Sequence, residues 1–387
     1  MAATKWLWVL PMAAALLLVV TIGAAAHPAT TANSTAANVD LSIATQGAVF
    51  TMTNSPSGNA IVAYVIGPGG SLIPAGTFGT HGAGSGVSLA DSGSVALSSD
   101  HRWLFVVDAG SNAVSVFKVN SLNSGGPLLS FTQRVSSHGT LPVSIASSGS
   151  FVYVLNAGTS AVPGNIFGFF LGDHGLLLPL PGSSRPLSTS ASTAPAEIAF
   201  NPAGTVLVVS EKNTSVLDSY VVGWQGYATG PTVTTSNGST PYGFAFARDG
   251  SLIVSDAGPG ALTSYRVAAS GALTLKTPAL TDGGLAACWV ATTDDGHFAF
   301  AANAHSGTIS TYGVGPRGGL TVLVPLAAST GPADTDMAVG GANGQYLFVY
   351  DAGAGEIQEF EIGAGASLTL SYSVFGLPST AEGMAAF

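Results

Sequence analysis

The chain has 387 residues, of which 47 % are hydrophobic and only 8 % charged, and ten Lys and Arg against twenty Asp and Glu give a net charge of -10. No basic stripe exists to neutralise phosphates, so a nucleic-acid partner is excluded. A chain of this length buries about 75 % of the surface its unfolded form exposes, so its core needs no disulfide, in keeping with the single cysteine, Cys288.

The N-terminus reads as a secretory signal peptide over residues 1–26. Lys5 supplies the positive start, Trp6 to Ile22 is apolar, and Gly23-Ala24-Ala25-Ala26 offers small residues for cleavage. Export is expected, to the exterior or to the periplasm of a Gram-negative host, with membrane attachment only if the segment stays uncleaved. Residues 27–40 lack periodicity and read as a flexible lead-in. Asn33, Asn213 and Asn237 sit in glycosylation sequons.

From residue 41 to 387 one unit recurs seven times: an apolar strand, a Gly or Pro turn, then a second apolar strand closed by Asn54, Asp108, Asn156, Glu211, Asp256, Asn303 or Asp351. The spacings of 54, 48, 55, 45, 47 and 48 residues match a four-stranded propeller blade. Small residues dominate seven expected inner strands, SVALSS, VSIASS, EIAFN, YGFAFA, ACWVATT, TDMAVG and EGMAAF, as strands converging on a central channel require. Turns such as ARDGS, TDDGH and GANGQ supply positive φ for the first hairpin. Outer pairs such as ALTSYRV and SGALTLK complete each blade. The first repeat has no inner strand before GAVFTMTN, and EGMAAF has nothing after it, so the two ends are expected to share one blade and close the ring. The fold class is therefore all-β, a single seven-bladed β-propeller, and a monomer is expected.

The segment APAEIAFNPAGTVLVVSEKNTSVLDSYVV, from Ala194 to Val222, resembles lactonase-like seven-bladed propellers with YVTN-type repeats, the group of 6-phosphogluconolactonase and carboxymuconate cycloisomerase. The likeness covers residues 40–387 and places Glu211 on a family glutamate. It implies lactone hydrolysis or cycloisomerisation. The chain departs from the family where it has Ala196 and Glu197 in place of Arg and His, Leu141 near a family His, and Asn165 near a family Arg. Substrates bearing phosphate or carboxylate need such cations.

A hairpin turning about Ala203 and Gly204 puts Glu197 opposite Glu211, with Cβ atoms about 5 Å apart. Two carboxylates so close split their pKa values and offer an acid beside a base; the alternative is that one pairs with Lys212 or merely lines a water-filled channel. His138, in a loop on the same face, could act as base or remain a solvated histidine. The candidate catalytic set is Glu211, Glu197 and His138. The seven Asn, Asp and Glu endings either form a polar ring for a ligand or cap their own turns. Asn156, Glu211 and Asp256 are the oxygens calcium would use, but His81, His138 and His305 make no metal spacing. Cys288 reads as a buried structural thiol. The Gly-rich strings are hairpin turns, so no cofactor and no resident metal are expected. The favoured reading is a propeller that binds a small molecule or an extracellular surface on one face; the rivals are a lactone hydrolase or cycloisomerase, and an adhesive surface protein.

Overall fold

A computed structural model describes residues 46–122, 125–189, 192–331 and 333–387. The expected signal peptide, the lead-in and the Asn33 sequon lie outside them. Among the described residues seven antiparallel sheets form the seven blades. Blade 4 shows the unit, running outward through Pro195–Phe200, Val206–Glu211, Val216–Val222 and Ala228–Thr235. Its second strand, VLVVSE, is buried at every position because neighbouring blades pack on both of its faces, whereas the outer strand, ATGPTVTT, is mostly open to water. Position in the blade thus explains why the second strands read as continuous apolar runs.

Blade 3 varies the pattern. Its fourth position is filled by two short pieces, Leu177–Pro179 and Arg185–Pro186, both paired with Asn165–Leu171. Pro179, Pro181 and Pro186 carry no N–H for a continuous ladder.

The ring closes as expected. Glu382–Ala386 is the inner strand of blade 1 and pairs with Gly47–Met52. Ala48 and Phe387 exchange both backbone hydrogen bonds at 3.1 Å, and Phe387 stacks on Phe50.

The expected pairing of Glu197 with Glu211 is corrected by the register. Glu197 faces Ser210, and Glu211 faces Pro195, with a bulge between. Counting from the turn assumed a regular hairpin. A one-residue slip moves a side chain to the other face of a sheet, so Glu197 enters the channel while Glu211 faces the seam with blade 3. The inner strands of blades 3, 5, 6 and 7 and the closure in blade 1 carry similar irregularities. Their third residues, Ser144, Glu197, Trp289 and Asp336 among them, are set around the channel mouth.

The seven Asn, Asp and Glu endings are almost wholly buried. Only Asp351 caps its own turn as expected, accepting from the N–H groups of Gly353 and Ala354 at 2.7 and 3.2 Å. Five others latch the connection that enters their blade: Asp108 to Thr80 (2.6 Å), Asn156 to Ser137 (3.1 Å), Glu211 to Ser188, Asp256 to Ser236 (3.1 Å) and Asn303 to Asp282 (3.3 Å). In four of these, a glycine two residues after the latch lies against the ending side chain. A Cβ on Gly82, Gly139, Gly238 or Gly284 would come within 2.1–2.3 Å of its side-chain carbon. The glycines are there for room. Gly238→Ala is therefore expected to cost about 1–3 kcal/mol by overpacking the Asp256 latch, while Gly79→Ala, which meets nothing within 4 Å, should cost far less. Denaturant unfolding of the two variants tests this, and equal midpoints would refute the latch.

Candidate functional site at the channel mouth

Connections between blades are four to eight residues long in six cases, but residues 80–94, between Leu72–Gly79 and Val95–Leu97, form a fifteen-residue strap. Asn54 holds its first half, accepting from the Ser85 N–H at 2.7 Å and donating to the Val87 carbonyl at 2.9 Å. Its second half enters the mouth of the channel. The Leu89 N–H donates to both oxygens of Glu382, at 2.9 and 2.8 Å. The Lys212 ammonium donates to the Ala90 carbonyl, and Trp289 Nε1 donates to the Asp91 carbonyl at 2.9 Å. The Ser92 N–H donates to the Ala196 carbonyl and the Gly93 carbonyl accepts from Ile145 N–H. One short segment is thus held by blades 1, 3, 4 and 6.

The strap carries Asp91 into a buried group of carboxyls formed by Glu197, Asp336 and Glu382. Glu197 and Asp336 also stitch neighbouring inner strands that do not pair. Glu197 accepts from the Phe244 N–H at 2.7 Å, and Asp336 from the Met384 N–H at 2.9 Å. Burial pushes Glu197 up to about 8 and Asp336 up to about 7, so both hold protons at pH values where ordinary carboxyls are ionised. Asp91 is also raised well above its ordinary range, by burial first and then by the neighbouring charge of Glu382. Two carboxyls so placed favour a single shared proton, and Asp91 Oδ2 meets no N–H or O–H donor of the chain. Lys212 is lowered by its burial despite these neighbours, and its ammonium lies 4.6 Å from the Tyr242 ring. Chemically, the mouth pairs a protonated carboxyl with a carboxylate beside a desolvated amine.

The residues singled out in the sequence are not brought together. Glu197 is in the mouth. Glu211 lies in the blade 3–4 seam, held by the Ser188 N–H at 3.0 Å and by the hydroxyls of Ser188 and Thr214. Its carboxyl partner is Asp218, raised to about 8 by burial and by the charge of Glu211. His138 is exposed in the Ser137-His-Gly139 latch, stacked on Phe167 with ring centres 4.1 Å apart. The alternative in which Lys212 forms an ion pair also fails, since the one ion pair among the described residues is Arg102–Asp100. Asn156, Glu211 and Asp256 bond their own latches, and the described residues contain no group of three His, Cys, Asp or Glu suited to a metal. Cys288 is buried at the mouth beside Trp289. Near the family positions for His and Arg, the Leu141 N–H donates to Asn112 and Asn165 donates to Ser184. Asp91, Asp336 and Glu382 went unread as site residues. For Asp336 a signal existed, because it is the third residue of its inner strand, as Glu197 is of its own.

A family model described as "Lactonase, 7-bladed beta-propeller" matches residues 253–381. No curated protein matches the chain in sequence. Among solved structures, the periplasmic gluconolactonase of Pseudomonas aeruginosa is similar at 16 % identity and a TM-score of 0.69, covering 89 % of this chain and 99 % of that one. A proposed 6-phosphogluconolactonase of Bacteroides fragilis is similar at 18 % identity and a TM-score of 0.68, covering 88 % and 98 %. At such identities the likeness concerns the fold. The protein is a seven-bladed β-propeller, similar over residues 253–381 to the lactonase propeller model.

Proposed function

We propose that this propeller is an exported binding protein that takes a small, uncharged polar ligand or an extracellular surface on its strap-bearing face. The observation that carries this reading is the strap itself. Residues 88–93 fill the channel mouth, and the one cation there, Lys212, is occupied by the Ala90 carbonyl and the Tyr242 ring. A phosphorylated or carboxylated lactone needs Arg or Lys donors in its pocket, and this mouth offers none free. The apolar run at residues 6–22 supports export, and the similar Pseudomonas protein is described as periplasmic.

A second reading is favoured by one feature, the neighbouring buried carboxyls of Asp91 and Glu382. With the strap seated and a neutral lactone admitted beside it, Asp91 would donate a proton to the leaving oxygen while Glu382 activated water. One experiment decides between the readings. Acid release from 6-phosphogluconolactone and from uncharged lactones is followed at constant pH with the wild-type chain and Asp91→Asn. No rate above spontaneous hydrolysis supports the binder. Turnover of an uncharged lactone that falls about 100-fold or more in Asp91→Asn would overturn it in favour of hydrolysis.

A further inference from the structure

The face opposite the strap, where the first and outer hairpins of each blade turn, carries a second feature. A cavity of about 480 Å³ opens between the turns of blades 4, 5 and 6, and Arg248, Arg266 and Arg317 all line it. A neighbouring hollow of about 290 Å³ shares Arg248 and Asp249 and adds Asp295 and His297. The chain has ten Lys and Arg in total and a net charge of -10, so three arginines in one cavity are a concentration of positive charge in an acidic molecule.

None of the three forms an ion pair, although Asp249 lines the same cavity and the charge of Arg248 is felt by Asp295. Arg102–Asp100 is the one ion pair among the described residues. Asp249 also lines the cavity, but its oxygens accept from the backbone N–H groups of Ser251 and Arg317, at 2.9 and 3.1 Å, and so fix the two turns. The three arginines are exposed, and guanidinium groups that line one cavity repel one another less once an anion sits among them.

Arg317 supplies an independent pointer. It is the middle residue of the short turn Pro316–Gly318, with φ of +66°, the left-handed region that favours glycine. The matching turns of blades 1 and 7, Pro68–Gly70 and Ala364–Ala366, have Gly69 and Gly365 there, at φ of +67° and +64°. The turn also docks closely on blade 5, since a Cβ on Gly318 would come within 2.6 Å of the Ser251 hydroxyl. Blade 6 thus places a long cation at a strained backbone position where its sister turns have none, a departure of the kind that accompanies ligand sites.

We propose that this cavity is a binding site for a compact multivalent anion, a small molecule bearing two or more phosphoryl or carboxylate groups. The arginine forks match both group types. The site lies on the face away from the strap and stands whatever the channel mouth does.

Calorimetric titration of the full chain with pyrophosphate and with citrate, at low ionic strength, tests the proposal and separates the two sources of charge. At least one should bind, and its affinity should fall about tenfold or more in Arg317→Gly and in Arg266→Ser, each of which removes a charge-assisted hydrogen bond. Arg317→Gly restores the residue of the sister turns, so its melting temperature should match or exceed the wild type. No heat from either anion at millimolar concentration, or unchanged affinity in a folded Arg317→Gly, would overturn the site.

Discussion

Removing Glu382 to Phe387 should abolish the cooperative melting transition, because those six residues form the inner strand of blade 1. Without them one edge of Gly47–Met52, a strand buried along its whole length, loses its partner. Phe50 loses the stacked ring of Phe387, Leu89 loses the Glu382 carboxylate, and the Asp336 carboxyl loses the Met384 N–H. Each lost partner leaves a buried polar group at about 1–3 kcal/mol, and together they rival the roughly 5–15 kcal/mol by which such domains are stable. Calorimetry and near-ultraviolet dichroism of the truncated chain are the measurements. A melting curve like that of the full chain would disprove closure by the last strand.

Stability should fall as pH rises from about 4 to 8. Burial raises Asp336, Asp256 and Glu359 to about 7 and Glu197 and Asp218 to about 8. In the unfolded chain these groups titrate near 4. Between those values the native state binds more protons than the unfolded state, so stability decreases as pH rises. The contribution is complete below about pH 4 and is lost as pH passes through 7 to 8. Lys212, lowered by burial, works in the opposite sense, but it is one group against five. Even discounted to a net of about 5 kcal/mol, the effect corresponds to a drop on the order of 10 °C in melting temperature from pH 5 to pH 8. A melting temperature that is flat or rises across that interval would show that these carboxyls are not held protonated.

The sequence made the ring legible because blade formation is local. Alternating apolar runs, Gly turns and small inner-strand residues act within about fifty residues, and strands such as VLVVSE and EGMAAF fell where their patterns placed them. The site was less legible for two physical reasons. A bulge between Pro195 and Glu197 shifts the register by one residue, and no alternation of side chains reveals a bulge in advance. The acid pairs that did form, Asp91 with Glu382 and Glu211 with Asp218, include one that joins residues almost three hundred positions apart through the strap. The S/T/D-x-G latches, by contrast, stand openly at Thr80, Ser137, Ser236 and Asp282. They pass unread when each acidic or amide ending is considered only against its own turn.

The seat of the strap has an assembly consequence. Leu89 needs Glu382 of the last strand, Gly93 needs Ile145, Ser92 needs Ala196, and the Asp91 carbonyl needs the indole of Trp289. These groups come from four blades, so no partial ring lacking any of them can present the complete seat. The segment is made early in the chain, between the first and second blades, yet its final partner, Glu382, comes five residues before Phe387. A growing chain must therefore carry residues 80–94 unseated until nearly its whole length exists, and full occupation of the channel mouth marks a finished molecule.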